Sequence, residues 1–331
     1  MILAVDGMGG DNSPNEIVKG CIKAIEKFDV KIIITGPEDV IKGELSKYTY
    51  DIKKVEVLDA KDVISLNEPP VMAIRTKKES SLYKAINLVK KGEADGIISA
   101  GSTGALLAGS LLIIGRIPGI DRPALAPIMP GKNNKFMIID CGANAECKPK
   151  NLLQFAYMGK AYYQNVLKKE NPTIGLINIG TEEEKGNELT KEAYQLLKNS
   201  DLNFVGNVEP RDITSGDTDI LVSDGFVGNT VLKMYEGVAS NIFSILKQEM
   251  MSSFKSKIGA LLLKDVFKTF KRKFDYKEEG GAPFIGVKGI CIKAHGSSDA
   301  RAIYNGIRQA VLCFDNDIVG KIEEGIKNIQ E

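Results

Sequence analysis

Met1-Ile-Leu-Ala-Val-Asp6 runs directly into Gly7-Met-Gly-Gly-Asp11, and a helix-like stretch, Asn15–Lys27, follows. The same order of apolar run and small-residue turn recurs at Ser99-Ala-Gly-Ser-Thr-Gly104, Asp140-Cys-Gly-Ala-Asn144, Asn178-Ile-Gly-Thr181, Ser223-Asp-Gly-Phe-Val-Gly-Asn229 and Ala294-His-Gly-Ser-Ser298. Strands alternating with helices mean a parallel sheet built from crossovers, so the fold class is α/β. If the runs are neighbours in one sheet, all six turns share its carboxyl edge, where open α/β sheets take ligands. That edge would carry free backbone N–H groups at helix starts, a setting suited to phosphate. Glycine also serves such turns for steric reasons alone. Six of them in one chain favour a handler of phosphate or a phosphate-like group.

The pattern predicts strands at Ile2–Asp6, Lys31–Thr35, Val55–Leu58, Gly96–Ser99, Ala124–Met129, Phe136–Asp140, Ile174–Asn178, Ile220–Ser223 and Ile290–Ala294. Helices are expected at Asn15–Lys27, Ser80–Lys91, Leu152–Lys168, Gly186–Lys198, Phe226–Gln248 and Asp299–Cys313, several of them opening on a residue able to cap. No repeat or linker divides the 331 residues, which reads as a single α/β catalytic domain over 1–331. No apolar run reaches the ~20 residues of a membrane span, and Met1 opens a strand without a basic leader. A cytosolic, unprocessed chain is expected. Its five cysteines form no C-x-x-C pair and read as small buried apolar residues. One histidine rules out a multi-histidine metal site. A net charge of +1 argues against general nucleic-acid binding.

One segment departs from the alternation. Between Phe254 and Phe274, apolar residues Phe254, Ile258, Leu261, Leu262, Val266, Phe267, Phe270 and Phe274 recur at helical spacing. Among them stand Lys255, Lys257, Lys264, Lys268, Lys271, Arg272 and Lys273 against a single Asp265. A basic amphipathic insertion over 250–279 fits an anionic membrane surface or an acidic partner. A dimer-interface or core helix with a solvated basic face fits the pattern as well. Half-burying the eight apolar side chains returns roughly 8 kcal/mol gross. Each basic residue adds about 1 kcal/mol near anionic lipid. That sum supports reversible adsorption.

Familiar phosphate motifs fail. Asn12 stands where the third glycine of a dinucleotide fingerprint belongs, and no P-loop or G-x-S-x-G elbow occurs. What survives is chemistry in which phosphate itself reacts. Acyl transfer from a thioester to inorganic phosphate needs a phosphate cradle, an oxyanion donor and alignment, because the nucleophile arrives ionised.

Ala4-Val-Asp-Gly-Met-Gly-Gly-Asp-Asn-Ser-Pro14, Ser99-Ala-Gly-Ser-Thr-Gly-Ala105, Gly119-Ile-Asp-Arg-Pro-Ala124, Gly142-Ala-Asn-Ala-Glu-Cys-Lys-Pro149, Asn178-Ile-Gly-Thr-Glu-Glu-Glu-Lys-Gly-Asn187, Gly206-Asn-Val-Glu-Pro-Arg-Asp212, Ser223-Asp-Gly-Phe-Val-Gly-Asn229 and Ala294-His-Gly-Ser-Ser-Asp-Ala-Arg301 together resemble the bacterial phosphate acyltransferase family of phospholipid synthesis. The likeness spans nearly the whole chain. Gly7 departs where the family more often has Ala, and Asn12 where His is common, so no histidine acts from the first turn here. The resemblance implies transfer of a long fatty acyl group from acyl carrier protein to inorganic phosphate. The acyl phosphate then passes to a membrane acyltransferase acting on glycerol 3-phosphate. It further implies a homodimer and a Rossmann-like α/β/α fold similar to phosphate acetyltransferases and isocitrate and isopropylmalate dehydrogenases. No nucleotide cofactor is implied, and peripheral association with the inner face of the cell membrane is. On that basis the membrane contact is assigned to Phe254, Ile258, Leu261, Leu262, Val266 and Phe270.

Candidate site residues follow from the turns. His295 can donate to phosphate or to a developing oxyanion. Lys185 can neutralise phosphate or the carbonyl oxygen, or pair with Glu182 to Glu184 at the surface. Asn229 can present its amide to an oxyanion, or hold its turn. Gly101, Ser102, Thr103 and Gly104 form the most compact anion nest, and Ser297 and Ser298 bind phosphate, cap the following helix, or both. Asp6, Asn144 and Asp224 mark the substrate edge. Asp6, Asp11, Asp140 and Asp224 would suit Mg²⁺ as a carboxylate cluster, but capping explains them too, and no metal is assigned. Arg75, Lys77 and Lys78 face phosphate, the carrier protein, or solvent. A short-chain phosphate acetyltransferase using acetyl-CoA gives no reason for the Phe254–Phe274 segment, and a non-catalytic membrane scaffold gives none for the six turns.

Overall fold

The computed structural model describes residues 1–273 and 278–330. In chain order its strands are β1 (Ile2–Asp6), β2 (Lys31–Gly36), β3 (Val55–Asp59), β4 (Gly96–Ser99), β5 (Ala124–Leu125), β6 (Ile128–Met129), β7 (Phe136–Ile139), β8 (Ile174–Ile177), β9 (Phe204–Val208), β10 (Ile220–Val222), β11 (Ala282–Ile285) and β12 (Ile290–Lys293). They build two sheets. One has the order β3-β2-β1-β4-β12-β11-β5, the other β6-β7-β10-β8-β9. Both are mostly parallel: Val5 pairs with Ile34 and Ile98, and Leu221 with Ile138 and Gly175. Antiparallel partners appear at β11, β5 and β6.

The expectation of six turns on one sheet edge is therefore corrected. Turns after β1, β4 and β12 belong to the first sheet, and those after β7, β8 and β10 to the second. The single strand expected at Ala124–Met129 is the crossing point: Ala124 and Leu125 pair with β11, whereas Ile128 and Met129 pair with β7. Pro127 stands between them, with no N–H to continue either ladder. Two strands escape the sequence pattern. β9 contains Gly206 at φ +99°, and β11 carries Pro283 just after Gly280-Gly281, so each reads locally as a turn.

Alternation along the strands gives each sheet two apolar faces. Leu3 and Val5 enter one buried cluster with Ile139 and Ile220, while Ala4 enters another with Ile138 and Leu221. Each cluster draws on both sheets. The expected helices are present as Asn15–Ile25, Ser81–Lys91, Pro149–Asn165, Glu188–Lys198, Gly225–Met250 and Ala300–Asp315. Helix Gly225–Met250 starts where the Asp224 side chain accepts the Val227 N–H at 2.8 Å, and at 26 residues it is about 39 Å long. Only Gly225 and Gly228 of it are buried, so its far half outruns the sheet. The amphipathic segment continues from it as helices Phe254–Leu262 and Lys264–Lys273. Phe274 of the apolar stripe lies outside the described residues.

Candidate active site

Turns from the two sheets meet across a cavity of about 150 Å³. Thr103, Lys293, His295 and Ser298 line it from the first sheet, and Cys141, Asn229, Lys233 and Glu236 from the second.

The first wall is assembled by hydrogen bonds between turns. Asp11 N–H donates to the Gly296 carbonyl at 2.8 Å, and the Asn12 amide donates to the carbonyls of Ser297 and Ser298 at 3.3 and 3.1 Å. Asn12 is thus a tether for the His295 turn. A Cβ on Gly9 would stand 2.7 Å from Gly101 N, so only glycine lets these turns touch. Ser99 Oγ donates to Asp6 at 2.7 Å and accepts the Gly101 N–H at 3.0 Å. Burial pushes the Asp6 carboxyl up, against the pull of its hydrogen bonds. Asp6 lies beneath the turns and off the cavity wall.

The second wall hangs on Asp140. Its carboxyl, pushed up to about 6 by burial, accepts the N–H groups of Leu125, Ala143 and Asn144 at 2.9, 3.1 and 2.7 Å. The Asn144 amide donates both to Asp140 and to the Pro123 carbonyl, at 2.9 and 2.7 Å. The Asn144 carbonyl in turn accepts the Gly225 N–H at 2.8 Å. Asn144 and Asp224 therefore support the wall through bonds to the backbone, and Asn229 projects from the helix they anchor.

Some of the N–H groups expected along the cleft are already engaged within the protein. Gly101 N–H goes to Ser99, Ala105 N–H to Ser102 Oγ, Thr190 N–H to Asn187, and Ala300 N–H to Glu16. A side-chain cap satisfies one of the four N–H groups at a helix start. The Gly101 N–H and one acceptor site of Ser102 Oγ are thus engaged, and a Cβ on Gly104 would stand 2.6 Å from Pro70. Thr103 alone of that nest lines the cavity.

His295 is the clearest donor. Its Nδ1 accepts the Ser297 N–H at 3.2 Å and stands 2.9 Å from Ser297 Oγ. A backbone N–H can only donate, so Nδ1 is the acceptor and the ring proton sits on Nε2. Burial holds the imidazole pKa below its ordinary value, against the opposing pull of Glu236. The ring is neutral, carries its proton on Nε2 and lines the cavity.

Lys185 is not brought there. It sits on the turn after β8, its N–H donating to the Glu182 carbonyl at 3.2 Å, and it is absent from the cavity wall. Nor does it pair with its acidic neighbours, since Glu183 binds Lys198 at 2.7 Å. Lys77 is held by Glu68 and Asp62 at 3.1 and 3.4 Å. Sequence reasoning missed Lys293, Lys233 and Glu236. Lys293 had a signal: it is the one charged residue in the otherwise apolar run Ile290-Cys-Ile-Lys-Ala294. Cys141 lines the cavity with its thiol pushed well up by burial, so it stays protonated and is no nucleophile.

Outside the cavity, no residue of helix Phe254–Leu262 is buried, which removes the core-helix reading. Phe254, Leu261 and Leu262 are 78%, 71% and 81% exposed, and Ile258 and Val266 are exposed as well. Phe270 is exposed too, at 43%, and its ring lies 5.4 Å from that of Phe243 over an apolar groove of about 600 Å³ beside helix Gly225–Met250.

Comparison with known proteins agrees with this architecture. Residues 1–321 match the family described as fatty acid synthesis protein. A phosphate acyltransferase of Clostridium novyi is 67% identical over 328 residues, covering 99% of each chain. One from Clostridium acetobutylicum is 64% identical, covering 99% of this chain and all of its own. Among solved structures, a phosphotransacetylase from Streptococcus pyogenes superposes with a TM-score of 0.59 at 17% identity, covering 99% of this chain and 94% of its own. A branched-chain phosphotransacylase from Enterococcus faecalis gives 0.57 at 16%, covering 94% and 98%. These two establish the Rossmann-like fold. With its whole length matched by such relatives, the chain belongs to the phosphate acyltransferase family and is an acyltransferase that uses phosphate.

Proposed function

We propose that the enzyme moves a long-chain fatty acyl group from an acyl carrier protein thioester to inorganic phosphate, forming acyl phosphate for phosphatidic acid synthesis. The observation that carries this reading is the cleft between the two sheets. It joins a neutral imidazole donor, an amide and two hydroxyls from three separate turns without a thiolate nucleophile. A phosphate oxygen attacks the thioester carbon, the C–O bond forms, the C–S bond breaks, and the proton of the phosphate ends on the released thiol. His295 Nε2–H and the Asn229 amide stabilise the oxyanion, and Thr103, Ser297 and Ser298 orient phosphate. Lys185 acts only if its turn closes on the bound donor.

The exposed apolar and basic side chains between Phe254 and Phe270 support a reversible contact with an anionic membrane, near which acyl phosphate reaches a glycerol-3-phosphate acyltransferase. No helix of the described residues is long and apolar enough to cross a membrane. The apolar groove supports a homodimer in which a second copy covers it. Purified protein with palmitoyl-carrier protein, palmitoyl-CoA or acetyl-CoA, plus phosphate, tests the donor. Phosphate-dependent thiol release is expected with palmitoyl-carrier protein. Release with acetyl-CoA alone would make the enzyme a short-chain phosphate acetyltransferase instead.

A further inference from the structure

Lys293 ends β12 with 8% of its surface exposed, on the wall of the cavity. Its ammonium makes one hydrogen bond, to the Ala294 carbonyl, and no ion pair among the described residues. Beside it, the Ser298 hydroxyl is 2% exposed, lines the same cavity and has no hydrogen-bond partner. A buried cation with unused donors and a buried hydroxyl with none are each costly unless something satisfies them. Lys233, the other cation on the wall, is already paired with Glu236 at 2.8 Å. The missing component is small, anionic and rich in acceptor oxygens.

We propose that Lys293 and Ser298 form the phosphate seat, Nζ supplying the counter-charge and Oγ a hydrogen bond. The seat therefore lies at the end of β12, whereas in the Gly101–Gly104 turn the Gly101 N–H already donates to Ser99 and Ser102 Oγ accepts the Ala105 N–H. Phosphate bound there touches Lys293 directly and lies within the cavity that His295 lines. The inference rests on phosphate as acyl acceptor and is independent of which thioester delivers the acyl group.

Charge at Lys293 depends on its surroundings. Burial lowers it to about 8, Asp6 and Asp11 pull upward and Lys233 downward, while Glu236, Glu279 and His295 share the cavity. Above about pH 8 the free enzyme loses this charge, so kcat/KM for phosphate falls there.

The test compares wild type, Lys293→Met and Ser298→Ala. Lys293→Met should raise the phosphate KM at least tenfold, leave the acyl-donor KM within twofold, and abolish the basic fall in kcat/KM. Without phosphate its melting temperature should equal or exceed that of wild type, because an unpaired buried charge is gone. Added phosphate should raise the melting temperature of wild type and not of the variant. A Lys293→Met protein with wild-type phosphate KM and wild-type stabilisation by phosphate would overturn the proposal. Should that variant fail to fold, Ser298→Ala decides, with at least a threefold rise in phosphate KM expected and an unchanged KM refuting the seat. Phosphate-induced melting shifts need no acyl donor, so a wrong donor assignment cannot mimic a failure here.

Discussion

His295 shows how much one backbone bond can settle. Because the Ser297 N–H points at Nδ1, the ring's proton is committed to Nε2, and burial keeps a second proton off. The pKa lies below the ordinary ~6.5, so the neutral donor form persists above it and is lost as pH falls through the lowered value. At saturating phosphate, turnover should be flat between about pH 6.5 and 8 and fall on the acid side, with His295→Ala at least tenfold slower and unchanged in melting temperature. Lys185→Ala is the contrast. From its place outside the cavity it should hold kcat within about threefold, whereas a tenfold loss would mean that its turn closes on the bound donor. His295 was legible because it is the one histidine, in a small-residue turn after an apolar run. Lys293 carried only the weaker signal of a lone charge in an apolar run, and a lysine at a strand end reads as a surface charge until its burial is known.

Among elements, the turns and the amphipathic segment behave differently. Each turn does its structural work first: Asp140, Asp224, Asn187 and Ser102 cap or brace the backbone, and the residues left over face the cleft. Strand-to-helix order was readable from apolar period and glycine. Which hydroxyl or amide remained for ligand was not, because capping partners such as Glu16 for Ala300 lie 284 residues apart in sequence. For helix Phe254–Leu262 the exposed apolar face is the observable. Replacing Leu261 and Leu262 by Glu should cut co-sedimentation with anionic vesicles several-fold while the reaction in solution continues at its former rate. Unaltered co-sedimentation would end the membrane assignment. Phe270 is exposed as well and also contacts the Phe243 ring.

For the molecule as a whole, the decisive feature is that two sheets share two apolar clusters. Separate unfolding of either sheet would expose both clusters at once, so the two are expected to melt as one unit. Urea unfolding followed by far-UV circular dichroism and by tyrosine fluorescence should give coincident transitions. Two resolved midpoints would divide the chain into independent domains. By itself the sequence determined the α/β class, most strands and helices, the presence of anion-suited turns and the basic amphipathic segment, since period, glycine and charge are local properties. Only the tertiary structure decided that the turns fall three to each of two sheets, that His295 and Asn229 share a cleft while Lys185 does not, and that Lys293 is buried there with no ion pair among the described residues. Those outcomes depend on which distant strands pair and which carboxylates reach which N–H groups, and neither is written in any local stretch of chain.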